Sequence, residues 1–236
     1  MVDNVTIEPM TEDFIIWRCL HRGPLTQERI GEGPDSHMAA LKEIMAAYGT
    51  CAILARDGDR VMGTLRFYPK AICSSADDFA GLCLQGSPMG LKAFLDQKGL
   101  PARKEIEDET LTVHCMMTGS PFRKKNPYQR KGIGTRMVQE LIRWGLREGW
   151  DAIEARAVED LGVLYEHTGQ AGKRFWEKVG FQAVATQRQE RAGLPKAVLR
   201  MAREQASEQG LDPDVAVTWV MRKELGSQKR RRKPLK

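Results

Sequence analysis

Apolar residues recur at helical spacing in some parts of the N-terminal third and in short strand-like runs in others. A strand is predicted over Val5–Glu8, and a helix is predicted to follow the capping residue Thr11. The apolar side of that helix consists of Phe14, Ile15, Trp17 and Leu20. A second helix is predicted over His37–Tyr48, and Gly49 is its expected stop.

A hairpin and a central strand are predicted next. The apolar run Cys51–Ala55 is joined by an Asp-Gly-Asp turn to Val61–Tyr68, which is rich in strand-forming residues. Residues 71–108 contain a short helix around Met89–Gln97, and we interpret this stretch as an insertion. Leu111–Met117 then predicts a central strand.

The clearest helix in the sequence is predicted over Gly132–Glu148, where apolar residues share one face and charged residues the other. The apolar face consists of Ile133, Met137, Val138, Leu141, Ile142 and Gly145. Further strands are predicted at 152–157, 181–186 and 215–225, and further helices at 173–179 and 197–208. Helices between strands predict a mixed α/β (α+β) fold with one main sheet.

The composition is that of a globular chain. It has 236 residues, of which 42% are hydrophobic and 29% charged, which excludes disorder as a whole. No window approaches the roughly 20 apolar residues that a membrane span needs. The start of the chain is mixed and acidic, so no secretory signal is predicted. We therefore expect a cytoplasmic protein without a membrane partner.

The net charge of +6 is a property of the C-terminal tail. Residues 229–236 contain six Lys or Arg and no acid, so the remaining 31 basic residues balance the 31 acidic ones. The charge gives no support to nucleic-acid binding by the whole surface. A disordered solubilising tail over 227–236 is favoured over a tail that binds phosphates.

The cysteines argue against a disulfide framework and against a structural metal. Cys19, Cys51, Cys73, Cys83 and Cys115 are odd in number and form no CxxC pair. Cys73, Cys83 and His114 are the only loose candidates for metal ligands, so we expect no metal.

The sequence Gln-Arg-Lys-Gly-Ile-Gly-Thr at 129–135 follows a predicted strand and opens the clearest helix. Glycines let the backbone approach a ligand closely, and the free N–H groups of a helix start favour an anion such as a diphosphate. A Rossmann motif would need glycine at Met137, and the Gly-Lys-Ser/Thr ending of a Walker loop is missing. Because an ordinary helix start has the same pattern, the spacing alone leaves both interpretations open.

Three segments together resemble one family. The pattern Gln-x-x-Gly-x-Gly at 129–134 resembles the acetyl-CoA pyrophosphate loop of the GNAT superfamily of N-acetyltransferases. Phe175–Phe181, with the sequence FWEKVGF, resembles the next motif of that family, usually LYEKLGF. Val220–Leu225 resembles its closing strand.

The resemblance implies a single domain over residues 1–226, with a central, mostly antiparallel mixed sheet flanked by helices. It is specific from about 109 to 183 and looser from 3 to 70. Insertions near 71–108 and 187–213 lie outside it.

The resemblance also implies that acetyl-CoA is the cosubstrate. In the family, the backbone amides of the loop hold the CoA diphosphate. Here those residues are Gln129, Arg130, Lys131, Gly132, Ile133, Gly134 and Thr135. The side chains of Arg130 and Lys131 either add positive charge nearby or belong to a solvated basic loop.

The strand before the loop parts from its neighbour in this family. Its exposed amides bind the pantetheine arm and polarise the thioester carbonyl. By resemblance those amides belong to Cys115, Met116 and Met117. The thiol of Cys115 is expected to pack as a small apolar group rather than to react.

The implied reaction is direct attack by a primary amine on the acetyl thioester in a ternary complex. A base must first take a proton from the ammonium group. The candidates are Glu107 and Glu109 at the start of the central strand, and His114, whose ordinary pKa suits the task. Strand alternation puts His114 on the face opposite Val113 and Cys115.

The family's proton donor, a tyrosine in the late helix, corresponds to Trp176 here, and its helical asparagine corresponds to Gly169. An indole N–H is a poor acid, so this role is not carried over. Tyr165, in the predicted loop before that helix, Tyr128 and water are the candidates to protonate the leaving thiolate.

An alternative function keeps the fold without the chemistry, as a catalytically weak acyl-CoA-binding or regulatory module, and Trp176 is its best argument. The sequence names no acceptor: small amines, amino acids, antibiotics and protein N-termini all remain open. It also leaves a homodimer open.

Overall fold

The computed structural model of the chain describes residues 4–16, 35–72, 99–119, 128, 130–168, 170–188, 195–212 and 217–226. Within those ranges the chain forms seven strands and five α-helices. The strands are β1 (Thr6–Pro9), β2 (Ala52–Asp57), β3 (Arg60–Pro69), β4 (Thr110–Thr118), β5 (Ala152–Ala157), β6 (Gln182–Arg188) and β7 (Val217–Glu224). The helices are α1 (Asp35–Tyr48), α2 (Ile133–Arg147), α3 (Gly162–Thr168), α4 (Lys173–Lys178) and α5 (Lys196–Glu208).

The strands form one sheet in the order β1-β2-β3-β4-β5-β7-β6. All neighbouring strands are antiparallel except β4 and β5, which are parallel and are joined through α2. The predicted mixed, mostly antiparallel sheet flanked by helices is therefore confirmed. In the described part of the chain, no helix is both long enough and apolar enough to cross a membrane.

Helix α2 provides the main packing against the sheet. Its predicted apolar face is confirmed: Ile133, Met137, Val138, Leu141 and Gly145 are all buried, while Ile142 is half-buried. Trp144 joins this face, and its ring lies 5.1 Å from that of Phe67 on β3. Burying each large apolar side chain contributes about 1.5–3 kcal/mol, so this face stabilises the helix far more than its intrinsic propensity does.

The predicted helix after Thr11 is wrong. Glu12–Phe14 form a single 3-10 turn, and Ile15 is already extended, with φ −85° and ψ 125°. Ile15 and Ile16 are consecutive β-branched residues, which favour an extended backbone. In an extended chain, neighbouring side chains point in opposite directions, and both of these are buried. The amide of Ile16 also donates to the sulfur of Met10 at 3.3 Å. Trp17 and Leu20 lie outside the described residues.

The segment between β5 and α4, predicted as a loop, contains the helix α3. Helix α3 packs on α5. The existence of α5 confirms the helix predicted at 197–208, within the insertion near 187–213. Together they enclose a small second core, formed by Val158, Leu161, Val163, Leu164, Val198, Ala202 and Ala206. Tertiary contact between two short helices therefore stabilises α3, whose seven residues are too few for a stable isolated helix. The helix predicted around Met89–Gln97 lies outside the described residues.

Candidate functional site

The central parallel pair of strands separates partway along its length. Over the described lengths of β4 and β5, pairing comprises Thr110–Thr112 with Ala152–Glu154. Beyond these residues β4 continues to Thr118 beside β3, while β5 continues to Ala157 beside β7. The space between residues 113–118 and 155–157 is called the fork below. It is a slot in the sheet in which no described strand lies beside that side of β4.

A β-bulge lies where the fork begins. Phe67 pairs with Val113 and Arg66 pairs with Cys115, so His114 is an extra residue in β4. A bulge bends the strand and increases its twist, and the pairing of β4 with β5 ends two residues before it. Side chains do not alternate strictly between the two faces of a strand across a bulge. Alternation therefore no longer predicts that the His114 side chain lies on the face opposite Val113 and Cys115. The ring of His114 lies 5.7 Å from that of Tyr68.

The pairing of β4 with β3 determines which peptide groups face the fork. The amide of Gly119 donates to the carbonyl of Met62 at 2.6 Å, and peptide groups on an antiparallel strand alternate in direction. Cys115 and Met117 therefore direct their peptide groups toward β3, whereas Met116 and Thr118 direct theirs toward the fork. By this alternation, Met116 is the one of the three predicted residues whose amide faces the fork, while those of Cys115 and Met117 face β3.

The start of α2 lies beside the fork. Gly132 has φ +75°, and the first intrahelical bond runs from the amide of Arg136 to the Gly132 carbonyl at 3.0 Å. The N–H groups of Ile133, Gly134 and Thr135 lie ahead of that bond, at the positive end of the helix dipole. The position of a Cβ on Gly134 is 3.6 Å from the sulfur of Met116. Among the described residues, a helix start whose first N–H groups lie ahead of the first intrahelical bond thus adjoins the side of β4 that faces the fork.

The side chains around the α2 start are basic and solvent-facing. Arg130, with φ +57°, and Lys131 are both exposed. Arg136 is turned elsewhere, since its Nη2 donates to the carbonyl of Val5 at 2.6 Å. Gln129 lies outside the described residues.

Helix α4 forms the other wall beside the fork. It is held at the end of β5 by the amide of Lys173, which donates to the carbonyl of Val158 at 3.0 Å. The Asp160 carboxylate accepts from the amide of Arg174 at 2.9 Å and so caps the helix. The Cε2 atom of Phe175 is 3.7 Å from the Cβ position of Gly134, which links α4 to the α2 start.

Trp176, which the sequence resemblance aligns with a tyrosine, is buried in the core. Its ring lies 5.2 Å from that of Phe175 and 5.0 Å from that of Phe181. The predicted left-handed stop at Gly180 is confirmed, with φ +88°, and Phe181 packs back as expected. Trp176 is thus fixed between two aromatic rings close to the fork.

The structure brings one of the predicted catalytic residues to the fork. His114 lies at its start, whereas Glu109 lies at the other end of β4, roughly 20 Å from Met116 at the usual rise per strand residue. The carboxylate of Glu109 is 3.6 Å from Arg103 Nη2. Glu107 is exposed.

The two tyrosine candidates have different surroundings. Tyr165 is in helix α3 rather than in a loop, and 43% of it is exposed. The loop predicted at this position is therefore wrong. Tyr128 is half-buried and packs against the main core.

A buried polar cluster beside the bulge was missed by the sequence reasoning. Arg66 is buried on β3, donates to the carbonyl of Ile16 and hydrogen-bonds the hydroxyl of Tyr68. Burial raises the pKa of Tyr68 well above its usual range, although the Arg66 charge lowers it in part. The signal for this cluster was a single arginine within an otherwise apolar strand, where a charge needs partners.

An ion-pair network joins the strands just below the fork. Glu154 accepts from Lys70 at 3.0 Å and from Arg222 at 2.7 Å, and Asp108 lies 3.4 Å from Lys70. Burial by itself raises the pKa of Asp108, but the hydrogen bond from Thr110 and the charge of Lys70 outweigh it and lower that pKa. The network ties β3, β5 and β7 together where the last β4–β5 pair is made.

No group of three or more His, Cys, Asp or Glu among the described residues could hold a metal ion. Of the three loose candidates, His114 lies in the described part of the chain, whereas Cys73 and Cys83 lie outside it.

No protein-family model matches the sequence, and no curated protein matches it significantly. Many solved structures match at low identity, and members of the GNAT family are among them. An agmatine N-acetyltransferase variant is 13% identical, with a TM-score of 0.47, over 94% of this chain and 100% of that one. The ribosomal-protein-S18-alanine N-acetyltransferase of Escherichia coli is 10% identical, with a TM-score of 0.44, over 94% of each chain.

A GNAT family acetyltransferase from Elizabethkingia anophelis, solved with acetyl-CoA bound, is 15% identical. Its TM-score is 0.44, and the match covers 94% of this chain and 99% of that one. Likenesses of this size are not an argument for a shared activity, which has to be argued from the site itself.

Proposed function

We propose that this protein is an N-acetyltransferase that moves an acetyl group from acetyl-CoA to a primary amine. One observation carries the proposal: the fork and the first N–H groups of α2, which lie ahead of its first intrahelical bond, adjoin each other on the same strand–helix unit. A CoA thioester combines an extended, amide-containing arm with a diphosphate. The fork suits the arm and the helix start suits the diphosphate. The sequence resemblance at 129–134 and 175–181 supports the same conclusion independently.

The binding roles follow from the chemistry of each wall. The N–H groups of Ile133, Gly134 and Thr135 hold the diphosphate, and Arg130 and Lys131 add positive charge at the exposed end. The peptide group of Met116 binds the arm or the acyl oxygen within the fork. A donor aimed at the acyl oxygen stabilises the negative charge that develops there during attack.

In the proposed reaction the amine nitrogen forms a bond to the acyl carbon and the C–S bond breaks, with its electron pair passing to sulfur. His114 is the favoured base for the ammonium proton, because it is the candidate at the fork, while Glu109 is remote from it. The thiolate takes its proton from Tyr165 or from solvent. His114→Gln should lower kcat roughly 10²-fold while CoA affinity is kept.

Trp176 favours the alternative function, a module that binds acyl-CoA without efficient transfer. It occupies the position of the family's proton donor, yet it cannot supply a proton. Turnover against a broad panel of amines separates the two functions. Tight acetyl-CoA binding with no CoA release across the panel and across pH would favour the module.

The binding site itself is tested by Gly134→Asp. The new side chain and its charge would stand against the diphosphate, so CoA should bind at least about tenfold more weakly by calorimetry, or 1.4 kcal/mol. The matched control is Gly162→Asp, which introduces the same group at an exposed glycine on α3 with open space around it. Equal CoA affinity in folded wild-type and Gly134→Asp proteins would overturn the proposed site.

A further inference from the structure

The sheet has two faces at the fork, and α2 packs on one of them. A Cβ on Gly145 of α2 would lie 3.7 Å from Cδ1 of Leu111 on β4 and 3.9 Å from Cδ1 of Ile153 on β5. Met116 faces the same way, since its sulfur is 3.6 Å from the Cβ position of Gly134. The α2 start, where the diphosphate of the acyl donor is proposed to bind, is therefore on this face of the fork.

The opposite face, called the far face below, carries two arginines beside the fork. Arg156 on β5 is three positions after Ile153, so its side chain lies on the far face. Cys115 on β4 directly precedes Met116 and lies on the far face for the same reason. Arg66 on β3 pairs with Cys115, and directly paired residues of neighbouring strands share a face. Arg66 and Arg156 are thus on the same side of the sheet.

The two arginines lie on either side of the open half of β4. Arg66 adjoins β4 directly at Cys115. Arg156 lies on β5, two positions beyond the last residue that pairs with β4, which is level with the bulge. Arg66 is buried, with 5% of its surface exposed, whereas Arg156 and Cys115 are half-buried. Arg156 is therefore the arginine that a ligand in the fork can reach, and Arg66 contributes its charge from the neighbouring strand.

The far face carries no negative charge at this level of the described strands. On the two sides of the fork, the residues in this row across the sheet are Ala52, Arg66, Cys115, Arg156, Val220 and Ala185. One row further down, the carboxylate of Glu154 is already engaged by Lys70 at 3.0 Å and by Arg222 at 2.7 Å. The described strand residues therefore give the far face a positive potential at the fork.

A positive potential distinguishes between the classes of acceptor that the sequence left open. Two arginines repel a polycationic amine, whereas they attract a carboxylate that lies beside the amine. A guanidinium has several N–H donors in one plane and matches the two oxygens of a carboxylate. Arg156 can therefore bind a ligand carboxylate in addition to its partners within the protein.

We propose that the acceptor is a small amine that carries a carboxylate, as amino acids do, and that Arg156 binds this carboxylate on the far face of the fork. The inference rests on the proposed function. With the acyl donor on the α2 face, the amine attacks the acyl carbon from the opposite side. Arg66, held by the carbonyl of Ile16 and the hydroxyl of Tyr68, adds a second positive charge. Both charges disfavour the ammonium form of the acceptor, which assists removal of its proton.

The test compares amino acids with the amines that lack their carboxylate. The panel pairs each natural amino acid with its decarboxylated amine, such as phenylalanine with phenethylamine and lysine with cadaverine, and CoA release gives kcat/KM for each member. The best acceptor should be an amino acid, and its decarboxylated partner should have a kcat/KM lower by roughly 10- to 100-fold, the effect of losing a hydrogen-bonded charge. A best acceptor without a carboxylate would overturn the inference.

Substitution of Arg156 tests whether this residue carries the preference. Arg156→Gln should bring the ratio of the two kcat/KM values close to one, chiefly through KM, while CoA affinity is kept because the α2 start is on the other face. Arg156→Lys keeps the charge without the paired donors and should retain part of the ratio. The matched control is Arg143→Gln, which removes an arginine on α2 whose side chain is 62% exposed and paired with Glu140. An unchanged ratio in folded Arg156→Gln protein would overturn the inference.

Failure of the inference can be told apart from failure of the proposed function. If the protein binds no CoA, or releases none with any member of the panel, both are overturned. If CoA binds with the expected sensitivity to Gly134→Asp and amines without a carboxylate react as well as their partners, only the inference is overturned. If Arg156→Gln does not fold, Arg156→Lys provides the measurement, and a ratio equal to that of the wild type would overturn the role of Arg156.

Discussion

Both halves of β4 pair with β3 along one side, but only the first half pairs with β5 along the other. Thr110–Thr112 lie between β3 and β5 and are fully enclosed, whereas residues 115–118 pair with β3 and face the fork. The first half stabilises the sheet through pairing and burial. The second half turns the peptide group of Met116 toward the fork. The comparison teaches that one strand can be enclosed on both sides in one half and open on one side in the other, with the bulge at His114 at the boundary and the proposed binding role in the open half.

The largest expected effect comes from truncating one apolar side chain in each half. Leu111 is 1% exposed, so Leu111→Ala should lower the free energy of unfolding by about 2–5 kcal/mol. Met116 is half-buried beside Gly134, so Met116→Ala should cost clearly less stability but weaken CoA binding. Urea denaturation and calorimetry measure the two quantities. Similar stability losses in both variants would contradict the separation of roles.

A smaller effect is expected from the cap that holds α4 beside the fork. Asp160→Ala removes the acceptor for the amide of Arg174 and should cost about 1–2 kcal/mol. Asp160→Asn keeps an acceptor oxygen and should cost less. CoA affinity should fall in the same order, because α4 forms a wall of the fork. An Asp160→Asn variant as unstable as Asp160→Ala would argue against the capping role.

The smallest effect concerns two thiols on neighbouring parts of the sheet. Burial raises the pKa of Cys51 to about 12, with partial opposition from the Arg66 charge, whereas Cys115 is half-buried at the fork. At mildly alkaline pH, alkylation of the native protein should modify Cys115 and spare Cys51, and CoA should protect Cys115. Peptide mapping by mass spectrometry measures both. Faster modification of Cys51 would contradict the assignment of the open half.

The raised pKa of Cys51 also has a consequence for stability. Above its unfolded pKa of about 9.0, the thiol ionises in the unfolded chain and stays protonated in the folded one. Folding stability contributed by this group is therefore complete below that pKa and is lost as pH rises toward 12. Cys51→Ala should flatten the alkaline decline in stability, as followed by urea denaturation between pH 8 and 11.

Several elements could be predicted from the sequence because their signals are local. The apolar face of α2 repeats at helical spacing, the β2–β3 hairpin has a turn between two strand-like runs, and Gly180 marks a helix end. The glycines at 132 and 134 pointed to the helix start that now adjoins the fork. Local sequence patterns gave the wrong secondary structure where tertiary packing determines it. Ile15 is extended rather than helical, and α3 forms where a loop was predicted because it packs on α5.

The sequence by itself determined where α2 begins and which faces are apolar, because helix periodicity and glycine conformation are properties of short segments. Only the tertiary structure decided which side of β4 is open. The bulge at His114 arises from a mismatch of pairing with β3, and the fork arises because β4 stops pairing with β5 after Thr112, while β5 continues beside β7 on its other side. Both depend on residues far apart in the chain, so no local pattern contains them. The same reason explains why the direction of the Met116 amide, and the burial of the Trp176 indole beside the fork, emerged only from the folded chain.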